Sequence, residues 1–184
     1  MALLPAHGDL NTGNILLWLD EQHPFLIDFP CYQEAGHTLQ DLASLEVAIK
    51  FLLLDRQDGS PKEKLRAFDH THSQMEIWQE MEDHLLSASV PDDKQWLQAH
   101  CFPDNVTLCF ELVRMVRERA VEVQALVPDL DNQPQFVDEY LPALLYYTVR
   151  VIGYESLSLF KRLLAVYSIS QILTRLQQLP TNPT

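Results

Sequence analysis

Three polar side chains in the first part of the chain have residue types suited to phosphoryl transfer. Residues 7–14, with the sequence HGDLNTGN, place Asp9 five positions before Asn14, and Asp28 follows the apolar run 25–27. Phosphoryl transfer from a nucleotide needs a carboxylate near the attacking hydroxyl and oxygen ligands that hold Mg²⁺ against the phosphates. At this interval one turn of loop can present a carboxylate and an amide to the same site. We therefore predict that Asp9, Asn14 and Asp28 converge on a Mg²⁺ site.

Two short apolar runs, residues 15–19 and 25–27, have the composition of strands and would position these side chains. The polar segment between them suits a hairpin connection, which sets Asp28 at the end of the second strand, and strand content is expected to end nearly there. From Thr38 onward the apolar residues recur at helical intervals. The predicted helices span about 39–55, 62–88, a short segment after Pro91, 106–127, 135–153 and 156–179. One short β-hairpin and about six helices make an α+β fold that is mostly helical.

The length and composition of the chain are those of one globular domain, residues 1–184. The chain is 47% hydrophobic and 21% charged, and no repeat or low-complexity segment divides it. Thirteen basic against 26 acidic side chains give a net charge of −13, which repels nucleic acid and anionic membranes. The apolar stretches are interrupted by charges, unlike a membrane span. We therefore expect neither nucleic acid nor a membrane as a partner.

The three cysteines, Cys31, Cys101 and Cys109, are odd in number and form no C-x-x-C pair. They predict neither a disulfide framework nor a zinc knuckle, and they suit a reducing compartment. The first residues lack the basic and apolar regions of a signal peptide, so we expect a cytoplasmic location. Cys31 is expected to pack as a small hydrophobic residue, and the alternative is a reactive thiol near the site.

Three segments of the sequence resemble one superfamily of enzymes. Residues 7–16 (HGDLNTGNIL), 27–29 (IDF) and 36–43 (GHTLQDLA) are similar to the carboxyl-terminal lobe of the aminoglycoside phosphotransferase and choline kinase superfamily. The run that continues to Glu46 resembles more closely the phosphotransferase-like ternary complex-associated domain of bacterial multidomain proteins. Over residues 6–46 many individual residues match the family, whereas beyond them only the predicted order of helices matches.

The resemblance implies a kinase-like carboxyl-terminal lobe and a role for each matching residue. Asp9 corresponds to the catalytic base, and Asn14 and Asp28 correspond to the Mg²⁺ ligands. His7 would support the loop structurally, and Asp41 would brace it. Only six residues precede His7, which leaves no room for the amino-terminal lobe that covers the nucleotide in such enzymes. We therefore expect a fragment of a larger protein, in which Mg²⁺ and ATP bind only when that lobe is present.

Two functions remain open at this stage. Pro30 stands after Asp28-Phe29, where most kinases have glycine, and it fixes φ and removes an N–H from the metal-binding segment. The favoured hypothesis is a non-catalytic module, with the amino-terminal lobe or other domains of the parent protein as partners. The alternative is an active Mg-ATP-dependent phosphotransferase that acts on a hydroxyl acceptor when the lobe is present. An exposed apolar face along residues 3–19 is also expected and would allow a homodimer.

Local explanations compete with functional ones at several other residues. The spacing from Thr38 to Asp41 fits a capping box, in which Asp41 faces the helix amino terminus. His37 is expected to fill a turn, and substrate contact is the alternative. Glu80 and His84 are four positions apart on a predicted helix, but without a third ligand they predict a solvated polar face rather than a metal site. The aromatic residues of the last two helices predict core contacts, with a partner-facing rim as the alternative.

Overall fold

The fold consists of two small antiparallel sheets followed by a group of helices. The computed structural model describes residues 3–17, 24–29, 31–37, 39–52, 63–88, 96–97, 104–125 and 136–178. Strand β1 (Leu3–Ala6) pairs with β4 (Gln33–His37), and β2 (Ile15–Leu17) pairs with β3 (Pro24–Leu26). In the second sheet Ile15 lies opposite Leu26. The segment before β2 and the segment after β3 therefore meet at one end of this sheet.

Five helices lie in the described part of the chain. They are α1 (Gln40–Leu52), α2 (Glu63–Ser87), α3 (Asp104–Ala125), α4 (Phe136–Ile152) and α5 (Leu159–Gln177). Helix α1 contacts α3, α4 and a short 3-10 helix, Thr12–Asn14, while α5 packs against α4 and α2. Ser158 begins α5, since its hydroxyl accepts a hydrogen bond from the backbone N–H of Lys161 at 3.3 Å.

The core lies between the helices, and α1 connects it to the loop before β2. Three- and four-residue spacing puts apolar side chains on one face of a helix. On α1, Ala43, Val47 and Phe51 are buried at this spacing, and on α4 Leu144 and Val151 belong to the same cluster. The position of the loop on α1 is therefore tied to the packing of the whole helical core.

A buried ionic cluster crosses this core. Arg117 of α3 donates to both carboxylate oxygens of Glu46 on α1, at 2.8 and 2.7 Å. The Tyr140 hydroxyl donates to the same carboxylate at 2.7 Å. The Lys50 ammonium lies 2.9 Å from Glu46 and 2.8 Å from Glu82 of α2. Two carboxylates face two cations, so burial of the cluster does not leave an uncompensated charge.

The ionic cluster holds its members in their charged forms. Burial alone would raise the pKa of Glu46, but the charges of Arg117 and Lys50 outweigh burial and lower the pKa to about 2. Burial alone would lower the pKa of Lys50, yet Glu82 and Glu46 raise it above its usual value. Glu46 and Lys50 are therefore both charged at neutral pH, and the cluster fixes α1, α2, α3 and α4 relative to one another.

The prediction of an α+β fold that is mostly helical is confirmed. The expectation that strands end at the hairpin is wrong, because residues 33–37 form β4. This segment lacks alternating apolar residues, and it becomes a strand by pairing with β1, where Gly36 allows Ala6 to approach closely. Of the predicted short helix, only Trp96 and Leu97 lie within the described residues, and both are helical.

Candidate functional site

One carboxylate holds the loop of residues 7–14 against the beginning of α1. Asp41, in the first turn of α1, accepts hydrogen bonds from the backbone N–H of His7 at 2.5 Å and of Gly8 at 2.9 Å. Hydrogen bonds to an ionised carboxylate are shorter and about twice as strong as those between neutral groups. Asp41 thus braces the loop geometrically. Thr38, the predicted helix cap, lies outside the described residues.

His7 connects the loop to the segment that carries Asp28. The imidazole Nε2 lies 2.8 Å from the carbonyl oxygen of Ile27, and because a carbonyl only accepts, Nε2 carries the proton. The ring of His7 also lies 4.4 Å from the ring of Phe29, centroid to centroid. His7 is buried, so these contacts correspond to the structural role predicted for it.

Gly8 is required for the close approach of the loop to Cys31. Its φ is +83°, and an added Cβ would lie 2.0 Å from the Cys31 carbonyl oxygen. Only a residue without a side chain fits this conformation and this distance. The Cys31 side chain itself is exposed, so the expectation that it packs as a small hydrophobic residue is wrong. The backbone of Cys31, rather than its thiol, packs against the loop.

Two amide side chains fix the backbone of Asp9. The nitrogen of the Asn14 amide donates to the Asp9 carbonyl at 2.8 Å, and the Asn11 amide donates to the same carbonyl at 3.1 Å. Asn11 also caps the 3-10 helix by accepting from the backbone N–H of Gly13 at 2.8 Å. Because a carbonyl cannot donate, the Asn14 nitrogen must be the atom that faces Asp9. The Asn14 oxygen is thereby directed away from the loop backbone.

Asp28 lies beside Asn14 and has an unusual backbone conformation. The backbone N–H of Ile27 donates to the Asn14 carbonyl at 3.0 Å, which continues the β2–β3 pairing by one residue. Asp28 has a φ of 63°, in the left-handed region. Non-glycine residues in this region cost about 1 kcal/mol or more, and they cluster at functional sites. The chain thus turns sharply at the residue that would be a metal ligand.

The three predicted site residues are connected through Asn14. Its side chain contacts the backbone of Asp9, and its own backbone contacts the residue before Asp28. Within the described residues, the Asp9 carboxylate, the Asp28 carboxylate and the Asn14 amide oxygen form no hydrogen bond and no ion pair. These three oxygen-bearing groups therefore have no partner among the described residues, and their chain segments are joined by the hydrogen bonds of Asn14.

The oxygen-only donor set suits Mg²⁺ better than a transition metal. No group of three His, Cys, Asp or Glu side chains in the described part of the chain is arranged to hold a metal ion. Mg²⁺ does not require such a group, because it is usually bound by one or two carboxylates together with substrate phosphates and water. Asp28 and Asn14 offer one carboxylate and one amide oxygen, so the residues present fit a Mg²⁺ that shares its ligands with a phosphate.

A cleft of about 230 Å³ opens beside Asp9. Its polar lining comes from Asp9, Asn11, Ser44, Tyr147, Arg150 and Tyr154. The remainder of the lining is apolar and comes from α1 and α4, with Val47, Phe51 and Val151 among the residues. Arg150 and two tyrosines therefore line the same cavity as Asp9, the predicted catalytic residue. No local pattern in the sequence predicts this grouping, because α4 lies far from the loop along the chain.

Tyr147 remains a protonated hydroxyl in this cleft. Burial raises the pKa of Tyr147 to about 12, while a hydrogen bond with Gln40 opposes the rise. The guanidinium of Arg150 lies 5.7 Å from the centroid of the Tyr147 ring, a cation–π distance. The cleft therefore offers hydrogen-bond donors from Tyr147 and Arg150 at neutral pH.

Several other expectations from the sequence are corrected by the structure. His84 stacks on Trp96 at 4.1 Å between ring centroids, so it does not belong to a solvated polar face. Among the aromatic residues expected in the core, Tyr140 is fully buried, whereas Tyr146 and Tyr154 are exposed. Tyr146 on α4 and Tyr154 just after it therefore expose aromatic rings to solvent, where the sequence predicted core contacts.

Apolar side chains are exposed on the second sheet and just after it. Leu16 is 51% exposed and Phe25 is 47% exposed, and Phe29 is 49% exposed beside Asp28. Leu16 falls on the predicted apolar face along residues 3–19, whereas Trp18 and Leu19 lie outside the described residues. The exposed surface thus extends from β2 onto β3 and the strand end.

None of the helices in the described residues has the length and apolar character needed to cross a membrane.

Comparison with known proteins identifies one family. No curated protein and no solved structure matches the chain. The family model described as ternary complex associated domain 9 matches residues 1–153, a span that contains the loop, the second sheet and every residue of the cleft except Tyr154. The chain therefore belongs to the ternary complex associated domain 9 family.

Proposed function

We propose that the chain carries the catalytic-loop half of a phosphotransferase site, which holds a Mg²⁺-phosphate group and orients a hydroxyl acceptor. The observation that carries this proposal is the orientation of Asn14. Its amide nitrogen is engaged by the Asp9 carbonyl, its amide oxygen has no partner among the described residues, and its backbone carbonyl accepts from the residue before Asp28. An available amide oxygen joined to the segment of Asp28 supports a shared Mg²⁺ ligand set.

Asp9 is the acceptor-orienting residue in this proposal. Its backbone is fixed by two amides, and its carboxylate has no protein partner within the described residues. A carboxylate on a rigid loop can accept the proton of an acceptor hydroxyl and hold that hydroxyl in line with the phosphorus. Asp41 and His7 contribute by keeping the loop in place, because they contact only its backbone and the strand end.

Mg²⁺ would be held by Asp28 and Asn14, and it would neutralise charge on the transferred phosphoryl group. The protein's own contribution is the geometry of the ligands. Asp28 follows a residue that is hydrogen-bonded to Asn14, so the backbones of the two ligands are held next to each other. The left-handed backbone of Asp28 sets the direction of its carboxylate.

A second candidate function is a non-catalytic interaction module within a larger assembly. The observation that favours it is the exposed apolar surface of Leu16, Phe25 and Phe29. Contiguous exposed apolar residues mark interaction surfaces in many proteins. The family name, ternary complex associated domain, agrees with association into a complex. The surface would contact another part of a parent protein or a second copy of this chain, in the cytoplasm.

Thermal unfolding with and without Mg²⁺-ATP, measured with the nucleotide-covering amino-terminal lobe present, separates the two candidates. A ligand that binds only the folded state raises the melting temperature, even when binding is weak, if its concentration exceeds the dissociation constant. The enzyme proposal predicts a rise with Mg²⁺-ATP that disappears with EDTA and in Asp28→Asn. The matched control is Glu76→Gln on α2, which also removes one exposed carboxylate and should retain the rise.

Two results would contradict the phosphotransferase proposal. One is a melting temperature that does not respond to Mg²⁺-ATP at millimolar concentration. The other is an equal response in the wild-type chain and in Asp28→Asn, since binding would then occur elsewhere. Either result would leave the interaction module as the better account of the family fold.

A further inference from the structure

The cleft beside Asp9 contains a cation that no part of the proposed phosphoryl-transfer chemistry uses. Arg150 lies in the last turn of α4 and lines the cleft together with Asp9 and Tyr147. In the described part of the chain, Arg150 forms no ion pair, neither with Asp9 nor with any other carboxylate. The Cζ atom of its guanidinium lies 5.7 Å from the centroid of the Tyr147 ring.

From this arrangement we propose that the cleft binds a small anionic compound that also carries a hydroxyl group. Arg150 would contact the anion, and Asp9 would contact the hydroxyl that accepts the phosphoryl group. The second half of this inference rests on the proposed function, because only a phosphotransferase gives Asp9 that role. The first half depends only on the cleft.

The charge of Arg150 decides against a cationic ligand. A guanidinium presents several N–H donors in a planar fork, which matches the oxygen pairs of a carboxylate or a phosphate. An ammonium ligand in the same cavity would be attracted by Asp9 and by the aromatic lining, but Arg150 would repel it. The chain carries a net charge of −13, so Arg150, which is exposed at the cleft and has no ion-pair partner among the described residues, is a local exception to the surface charge.

The size and walls of the cleft limit the ligand further. Its volume of about 230 Å³ is below the range of about 300–1,000 Å³ that is typical of sites for drug-sized molecules. Val47, Phe51 and Val151 form apolar walls, while the Tyr147 hydroxyl adds one hydrogen-bond donor. A compound with a few carbon atoms, one acidic group and one or more hydroxyls fits this combination.

Four small hydroxyl-bearing probes of different charge test the inference by NMR titration of the complete chain. Glycerate and glycerol phosphate carry a hydroxyl and an anion, glycerol is neutral, and choline carries a hydroxyl and a cation. We expect the two anionic probes to shift the amide signals of residues 147–154 and to bind at least about tenfold more tightly than glycerol or choline. The difference between glycerate and glycerol phosphate then identifies the preferred anion.

Substitutions test whether Arg150 is the residue that binds the anion. Arg150→Gln should weaken binding of the preferred anion at least about tenfold, and Arg150→Lys should restore part of it, because the charge returns without the planar fork. Arg119→Gln is the matched control, since Arg119 is an exposed arginine on α3 that pairs with Glu122. It removes the same charge and should leave binding unchanged.

Three outcomes overturn the inference. They are equal binding of choline and the anions, absence of binding by both anions at millimolar concentration, and unchanged binding in Arg150→Gln. The experiment contains no nucleotide and no Mg²⁺, so it succeeds or fails independently of phosphoryl transfer. Anion binding that persists in Asp28→Asn, together with no response to Mg²⁺-ATP, would support the anion cleft and contradict the proposed enzyme.

Discussion

At the scale of single residues, the candidate site depends on contacts that the loop makes through its backbone. Asp41 accepts from two consecutive backbone N–H groups, and Asn14 donates to the carbonyl of Asp9. The carboxylates of Asp9 and Asp28 make no structural contact among the described residues, and Asn14 uses only its amide nitrogen for one. This division explains how a short loop can present Asp9 and Asn14 in fixed positions while their oxygens remain available.

Replacement of Gly8 by alanine is predicted to disrupt the loop. The φ of +83° and the distance of 2.0 Å between an added Cβ and the Cys31 carbonyl oxygen force the backbone to move. We expect a loss of about 1–3 kcal/mol in the free energy of unfolding, measured by urea denaturation. Gly153→Ala is the control, because its nearest contact would be at 3.5 Å. Equal effects of the two substitutions would contradict the predicted role of Gly8.

Replacement of Asp41 by asparagine is predicted to loosen the loop without unfolding the helices. Asparagine has one acceptor oxygen and no charge, so the N–H groups of His7 and Gly8 cannot both keep their charge-assisted hydrogen bonds. We expect faster amide hydrogen exchange at these two residues and unchanged exchange in the buried turns of α3. Unchanged protection of His7 and Gly8 would show that Asp41 does not brace the loop.

At the scale of elements, α1 is the support on which the site is built. Its first turn carries Asp41, its buried face joins the core, and Glu46 lies at the centre of the ionic cluster. Arg117 also donates to the carbonyl of Leu85, which connects α3 to α2. The stability of the cluster therefore determines how firmly the loop is positioned.

Replacement of Glu46 by glutamine is predicted to destabilise the whole domain. The substitution leaves Arg117 and Lys50 facing a single carboxylate, Glu82, in a site from which water is excluded. Breaking a buried ionic network by removing one partner costs about 3–5 kcal/mol. Glu122→Gln removes a carboxylate from an exposed pair with Arg119 and should cost less than about 1 kcal/mol. Similar unfolding free energies for the two variants would contradict the prediction.

The same glutamate predicts how stability changes with pH. The pKa of Glu46 is lowered from 4.5 to about 2 on folding, so its contribution is complete above pH 4.5 and is lost as the pH falls towards 2. The difference corresponds to about 3 kcal/mol. Denaturation curves between these pH values should show a smaller loss of stability in Glu46→Gln than in the wild-type chain. Parallel pH profiles for the two proteins would contradict this assignment.

At the scale of the whole molecule, the helices and the loop could be predicted from the sequence, but the cleft and the ionic cluster could not. Apolar spacing predicted segments 106–127 and 135–153, and the structure has Asp104–Ala125 and Phe136–Ile152. The cluster joins Glu46 to a partner 71 positions away, a separation that no local pattern encodes. The signal that was missed is a glutamate and a lysine four positions apart within the apolar run of α1.

Strand β4 and the cleft are two further features that could not be predicted from the sequence. The sequence QEAGH has no strand pattern of its own, and its conformation depends on pairing with β1. In the sequence, Arg150 is only a charge within an apolar stretch. The packing of α4 against α1 places it in the lining of the cleft that Asp9 also lines. Both features arise from contacts between distant segments, so single-sequence patterns do not contain them.

The central claim, that Asp9, Asn14 and Asp28 surround a site for a divalent cation and phosphate, is tested most directly with Mn²⁺ in place of Mg²⁺. Mn²⁺ is paramagnetic, so in the presence of ATP and of the nucleotide-covering amino-terminal lobe it should broaden the amide signals of residues 9–14 and 27–29 before those of α3 and α5. The broadening should disappear in Asp28→Asn and persist in Glu76→Gln. Broadening that is spread over the acidic surface, or that is unchanged in Asp28→Asn, would contradict the claim.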